Sequence, residues 1–368
     1  MKRLKTISVF LGGSAVMMAG FAKVDRCFGQ AVSYGTPINV ETKFTAPASD
    51  EDGKPRGISG MACLGKMTDQ TRECLVINDE ETFAEIAVLK DRSLRPTGKV
   101  LSIVSRGETG KAIVGTARDG VCDGKGKFGE LDGEGIAVAQ EYAYIISSHS
   151  CSGSGKYKPS SYLISRFRFA GSAGFLSGAS VVVERSWRGA DMLIHSSAGF
   201  AYGKPKGSGT NIEGVAVVGE HLYAGLRTPM VKTAAVLIRA SVNALFELGK
   251  EQLSAEQVET RPLSLGENAG IRDLAALNDG SLLILSGPTL EQSEVDYQIW
   301  RLPAPIWSSA PLPLAIVKTN AKAKDSGQVP KAEALTVIDQ SDNRVVVLVS
   351  YDNIDEGAPT IHEVNLNP

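Results

Sequence analysis

The sequence predicts an all-β fold, a ring of repeated four-stranded antiparallel units. Three observations carry that prediction. A short signature recurs five times, each copy is followed by β-rich runs in the same order, and the composition suits a turn-rich sheet protein, with 39 glycines in 368 residues and only 6% aromatics.

The signature is clearest in "LDGEGIAV" (Leu131 to Val138) and "NIEGVAV" (Asn211 to Val217), where a carboxylate precedes a glycine and a small apolar run. "IRDLAAL" from Ile271 and "KAEALTV" from Lys331 keep the acid and drop the glycine, while "GISGMACL" from Gly57 keeps the glycine and carries Ser59 in place of the acid. Aligned on Ser59, Glu134, Glu213, Asp273 and Glu333, the copies are spaced by about 60 to 80 residues, the mark of a repeat architecture.

Second runs follow as "ECLVINDEE", "YAYIISSHS", "HLYAGLRTP", "SLLILSGP" and "RVVVLVSYD", and third runs as "FAEIAVLK", "SYLISRFRF", "AAVLIRAS", "YQIWRLP" and "TIHEVNL". Fourth runs such as "ASVVVERSW" and "PLAIVKTN" complete most units. The fifth unit reaches Pro368 without one, and "INVETKF" (Ile38 to Phe44) is expected to supply it. Radial repetition closed by an N-terminal strand describes a β-propeller, which leaves no long free edge. Five blades are expected. Six stays open, because "KVLSIVSRG" and "KAIVGTARDG" offer additional strands after the first unit.

In an antiparallel pair, the start of the first strand and the end of the second lie at one end. One face therefore collects Glu134, Glu213, Asp273 and Glu333 with Asn78, Asp79, His149, Arg227, Asp352 and Asn353. The same rule brings Cys63, at the end of a first strand, to Cys74, at the start of the next. Cys122, before the second unit, comes near Cys151, after that unit's second strand. Four cysteines allow three pairing schemes, and the one that joins Cys63 to Cys74 and Cys122 to Cys151 is favoured as geometrically plausible.

The N-terminus carries Lys2, Arg3 and Lys5 ahead of "ISVFLGGSAVMMAGFA", the pattern of a secretory signal peptide. Residues 1–31 are assigned to it, with cleavage after Ala22 or near Gly29 to Ala31, and residues 32–368 to a single propeller domain. Cys27 lacks a preceding lipobox, and no later stretch is long and apolar enough to span a bilayer as a helix. A periplasmic or secreted monomer is expected, and the paired cysteines agree with that compartment. A formal net charge of -2 provides no whole-molecule field for nucleic acid or an anionic membrane.

Carboxylates gathered at one mouth of a channel repel unless their charge is compensated. Calcium takes 6–8 oxygen ligands, and Glu134, Glu213, Asp273, Glu333, Asn78 and Asp79 are the donor set it would use here. The alternative is structural: each acid accepts backbone N–H bonds or pairs with a base of a neighbouring blade, with Arg227, Arg272 and Lys331 at hand. His149 is a candidate general acid or base, and Arg227 and Arg272 are candidates to hold an anionic substrate. No G-x-S-x-G elbow, complete P-loop or H-E-x-x-H motif is present.

On "DGEGIAV" and "NIEGVAV" the chain resembles an uncharacterised bacterial family of exported propellers. The acid-glycine pattern is similar to that of the esterase-like phytase family and, more remotely, to gluconolactonase and paraoxonase propellers. In the latter, the acid of an E-G motif helps to hold a calcium ion that polarises an ester or lactone. The resemblance carries that role to Glu134 or Glu213, with Asn78 and Asp352 as the nearest counterparts of the remaining ligands. It implies a calcium-dependent hydrolase of phosphoesters, esters or lactones. A non-enzymatic propeller docking a protein, glycan or cell-envelope ligand on its loop-bearing face is the alternative, since one fold hosts many functions.

Overall fold

Runs such as Leu282, Leu283, Ile284 and Leu285 are buried along their whole length, as expected of strands covered on both faces by neighbouring sheets. The computed structural model describes residues 31–45, 56–65, 69–110, 112–118, 122–124, 126–169, 174–175, 181–205, 207–323 and 328–367. The proposed signal segment, residues 1–31, lies outside these residues except for Ala31. Among the described residues no helix is long and apolar enough to cross a membrane.

Five antiparallel sheets stand in a ring, giving a β-propeller of five blades. From the channel outward, the first blade is Gly60–Cys63, Arg72–Ile77, Phe83–Lys90 and Ser93–Ser102. The second is Gly133–Ala139, Tyr142–Ser147, Ile164–Arg168 and Val183–Ser186. The third is Asn211–Val218, His221–Val231, Ala234–Ser241 and Val258–Leu263. The fourth is Ala269–Ala276, Leu282–Pro288, Gln298–Leu302 and Leu312–Lys318. The fifth is Ala332–Gln340, Arg344–Tyr351 and Thr360–Asn365. The stretch "KVLSIVSRG" thus contributes to the first blade's outer strand, and "KAIVGTARDG" makes only an isolated bridge from Val114 to Ser186.

Closure differs in detail from the sequence expectation. The fifth blade is completed by Thr36–Pro37, paired antiparallel with Thr360 and Ile361, just ahead of "INVETKF". Asn39–Val40 has already moved on to the first blade, pairing in parallel with Ser93 and Leu94. Upstream, Ala31–Tyr34 runs parallel to Ala315 through Lys318 on the fourth blade. The N-terminal segment therefore laces three blades together. Gly35 permits this path, because a Cβ there would lie 2.5 Å from His362 Nε2 and from Thr360 Cβ.

Five apolar clusters fill the five spaces between adjacent blades. Ile146, Ile164, Val215 and Leu237's neighbour Val236 belong to the second seam, for example, and Leu285, Leu335 and Val347 to the fourth. Both expected disulfides form, Cys63–Cys74 across the first hairpin and Cys122–Cys151 from the entry loop to the second blade.

Candidate functional site

The five innermost strands contact one another around the channel in chain order. At the mouth, four of them carry a bulge. The ladder skips one residue between Gly133 and Gly135, Ile212 and Gly214, Ile271 and Asp273, and Ala332 and Ala334. The unpaired residues are Glu134, Glu213, Arg272 and Glu333. A bulge re-aims a side chain out of the ladder, here at the channel mouth. The first blade has no such bulge, and Ser59 precedes Gly60 as Glu134 precedes Gly135.

This corrects the alignment made from sequence. Asp273 stands where the second and third blades have Gly135 and Gly214, and Arg272 stands where they have glutamate. The glycines mark close approaches between blades. A Cβ on Gly60 would lie 3.0 Å from Gly135 Cα, one on Gly135 3.0 Å from Val215 N, and one on Gly214 2.8 Å from the Asp273 carbonyl carbon. At the next seam Asp273 reaches across instead: Oδ1 accepts from Leu274 N at 2.7 Å and Oδ2 from Leu335 N at 2.6 Å. The repeated acid-glycine pair serves two ends. The glycine lets blades meet, and the acid before it lines the mouth.

Arg272 organises the charge. Its Nη2 bonds to Glu333 Oε1, and its Nε lies 2.9 Å from Glu213 Oε2, a charge contact in which the N–H is not aimed at the oxygen. Burial alone would lower its pKa, but the Glu213 and Glu333 carboxylates more than reverse that, so Arg272 stays charged. Glu213 Oε1 also accepts from Asn211 Nδ2 at 2.8 Å and Arg227 Nη1 at 3.0 Å, while Arg227 Nε donates to Thr289 O at 2.9 Å. Both arginines are therefore committed within the ring rather than held open for an anion.

The carboxyls are pushed to different degrees. Burial, then the nearby Asp352 carboxylate, pushes Glu333 up to about 8. Burial, then Asp79, pushes Asp352 up to about 6. Glu134 is raised well above the usual range by burial and then by Glu213, Asp132, Glu333 and Asp79. Tyr297, which no sequence signal marks, packs its ring on Gly287 beside the Arg272 side chain. Burial pushes its hydroxyl up to about 12.

The remaining expected residues are placed elsewhere or already occupied. His149 has no exposed surface; its Nδ1–H donates to Ser147 O at 2.7 Å, and its Nε2 abuts Gly189 without a partner. Burial lowers its pKa to about 4, so no proton-transfer step is assigned to it. Asn78 uses both ends of its amide locally, donating to Gly57 O and accepting from Glu80 N, each at 2.8 Å. Asn353 likewise accepts from Lys331 N at 2.8 Å and donates to Val329 O at 2.9 Å. Asn78 Oδ1 and both Asp273 oxygens thus accept backbone N–H bonds, and Glu213 and Glu333 are held by Arg272, so four of the six expected calcium donors are engaged within the fold. No group of three or more His, Cys, Asp or Glu among the described residues is arranged to hold a metal.

Residues 200–363, covering the last three blades, match a family described as "Protein of unknown function (DUF3616)". The resemblance to an uncharacterised family is met over this part of the chain. No curated protein matches the sequence. Similar solved structures include an alpha-L-arabinofuranosidase from Podospora anserina, at 10% identity and a TM-score of 0.44, covering 91% of this chain and 96% of that one. A family 117 glycoside hydrolase from Zobellia galactanivorans is 9% identical with a TM-score of 0.44, covering 91% and 90%. A gluconolactonase from Xanthomonas campestris is 10% identical with a TM-score of 0.39, covering 91% and 98%. Likeness at this level carries no argument about activity.

Proposed function

We propose that this propeller is an exported hydrolase of neutral esters or lactones that works by general acid–base catalysis at the channel mouth. The observation that carries the reading is the pair Glu333 and Asp352, neighbouring carboxyls whose pKa values of about 8 and about 6 bracket neutral pH. Two carboxyls separated in this way divide the roles of acid and base. Asp352 takes a proton from water as its oxygen attacks the acyl carbon. Glu333 gives its proton to the alkoxy oxygen as the acyl C–O bond breaks. Transfer of a proton from Asp352 back to Glu333 resets the site.

A phosphomonoester fits less well, because the arginines that would hold its charge are engaged with Glu213 and Glu333. Export is supported by the N-terminal pattern and by the two disulfides, which persist in oxidising compartments.

The test is hydrolysis of chromogenic short-chain esters and of lactones across pH. A bell-shaped profile is expected, with an acid limb near 6 from Asp352 and an alkaline limb near 8 from Glu333. Glu333→Gln and Asp352→Asn should each lower kcat by about 100-fold or more. Turnover unchanged in both folded variants would sink the reading. Absence of turnover in the parent would leave a binding propeller in its place.

A further inference from the structure

Hydrolysis at the mouth needs a hydrogen-bond donor for the acyl oxygen, which gains negative charge when water adds to the carbonyl carbon. The donors placed so far are occupied. Arg272 is held by Glu213 and Glu333, Arg227 by Glu213 and Thr289 O, and the amides of Asn78 and Asn353 donate to Gly57 O and Val329 O. Tyr297 is different. Its ring lies against Gly287, where a Cβ would come within 2.5 Å of Cδ1 and Cε1 and 3.1 Å of Arg272 Cγ. Its backbone oxygen accepts from Val317 N at 2.8 Å, so main chain on two sides fixes the ring beside Arg272. The hydroxyl senses the charges of Arg272, Glu333, Glu213 and Arg227, which puts it among the groups of the ring. Among the described residues no hydrogen bond engages that hydroxyl, and it is not sealed from solvent.

We propose that Tyr297 is the oxyanion donor of this site, giving a hydrogen bond from its phenolic O–H to the acyl oxygen of a bound ester or lactone as the carbonyl carbon becomes tetrahedral. The inference rests on the hydrolysis proposed above and adds the group that reaction lacks. The water oxygen forms the new C–O bond while Asp352 takes its proton, the carbonyl π pair moves onto the acyl oxygen, and Tyr297 keeps its own proton throughout. That pair then re-forms the C=O bond as the alkoxy C–O bond breaks and Glu333 protonates the leaving oxygen. Burial holds the Tyr297 hydroxyl protonated, at about 12, over the whole range in which Asp352 and Glu333 divide their roles. A single neutral donor among carboxylates also narrows the substrate class. It suits an acyl centre, on which one oxygen takes up charge, and not a phosphoryl group that brings several charged oxygens.

The test compares Tyr297→Phe with the parent on a short-chain aryl ester, reading kcat, KM and the pH profile, with the unfolding midpoint as a check on the fold. Loss of one oxyanion donor predicts a fall in kcat of about 100-fold with KM nearly unchanged, the two pH limbs staying near 6 and 8. A packing role would instead move the midpoint and spare kcat. A second measurement needs no turnover: calorimetric titration with an alkyl trifluoromethyl ketone, present in water as its tetrahedral hydrate, against the matching methyl ketone. Tyr297→Phe should weaken binding of the hydrate about tenfold more than that of the methyl ketone. Should Tyr297→Phe fold poorly, Gly287→Ala moves the ring with its hydroxyl intact, and kcat should fall likewise. A kcat lowered by no more than about threefold in the folded Tyr297→Phe variant, or equal weakening of both ketones, overturns the assignment and leaves the hydrolase reading in place. Unchanged turnover in Glu333→Gln and Asp352→Asn beside a large loss in Tyr297→Phe overturns the acid–base roles alone. A parent without turnover overturns both.

Discussion

The seam between the third and fourth blades and the seam between the fourth and fifth solve one problem with opposite means. At the first, Gly214 removes its side chain so that the backbone of Asp273 can approach. At the second, Asp273 keeps its side chain and uses both oxygens to cap N–H groups, one of them on the neighbouring blade. Close contact between inner strands therefore has no fixed residue requirement. At these two seams the position carries either no side chain or a fully hydrogen-bonded one, the fifth blade has the small Ala334 there, and Arg272 spans both seams by reaching Glu213 and Glu333.

Removing the spanning group should do the most damage. Arg272→Ala removes the counter-ion of buried Glu333 and leaves Glu213 with Arg227 alone, and is expected to cost about 3–5 kcal/mol, seen as a large fall in denaturant midpoint. Asp273→Ala opens only the fourth seam and should cost about 2–4 kcal/mol, since two buried N–H groups lose their acceptor. Gly214→Ala overpacks only the third seam and should cost about 1–3 kcal/mol. If Asp273→Ala were neutral, the idea that a bonded carboxylate substitutes for the missing glycine would fail.

The effect of pH is smaller and sharpens the role of Glu333. Glu333, Glu81 and Asp352, with pKa values of about 8, 7 and 6, hold protons that the unfolded chain has already released. Their contribution is complete below the ordinary carboxylate range and is lost as pH rises through those values. His149 and His362, lowered to about 4 by burial, act oppositely: their contribution is present above 6.5 and lost as pH falls. Above about pH 7.5 the histidines are essentially neutral in both states, so the unfolding midpoint should decline with rising pH, and less steeply in Glu333→Gln. The smallest expected effect is that of metal. EDTA or added calcium should leave the midpoint unchanged, whereas a site filled at 100 times its Kd would add about 2.7 kcal/mol.

Much of the fold was legible because every blade writes its apolar runs in the same order, and the cysteine positions within those hairpins indicated both disulfides. The phase of the bulge was not. "IRDL" offers two charged residues in succession, and a one-residue bulge decides which faces the channel, so Asp273 was aligned with glutamates while Arg272 took their place. The closing strands are only two residues long at Thr36–Pro37 and Asn39–Val40, too short to show alternation, and "INVETKF" drew attention a few residues too far along. Tyr297 enters the site through packing on Gly287, a contact without local sequence signature. The acids themselves were visible, but whether each is free or saturated depends on partners from other blades.

The N-terminal lacing has a kinetic consequence. Thr36 pairs with Ile361, and Ser33 Oγ lies 3.0 Å from His362 Nδ1. Segments from opposite ends of the described chain must therefore meet before the ring is complete, and contacts of such sequence separation are slow to form. Early blades can assemble while the rest of the polypeptide is still emerging, but the fifth gains its outer strand only if Thr36–Pro37 is still unclaimed by another partner. A chain interrupted before Thr360 would leave that strand without its mate, exposing a β edge open to aggregation.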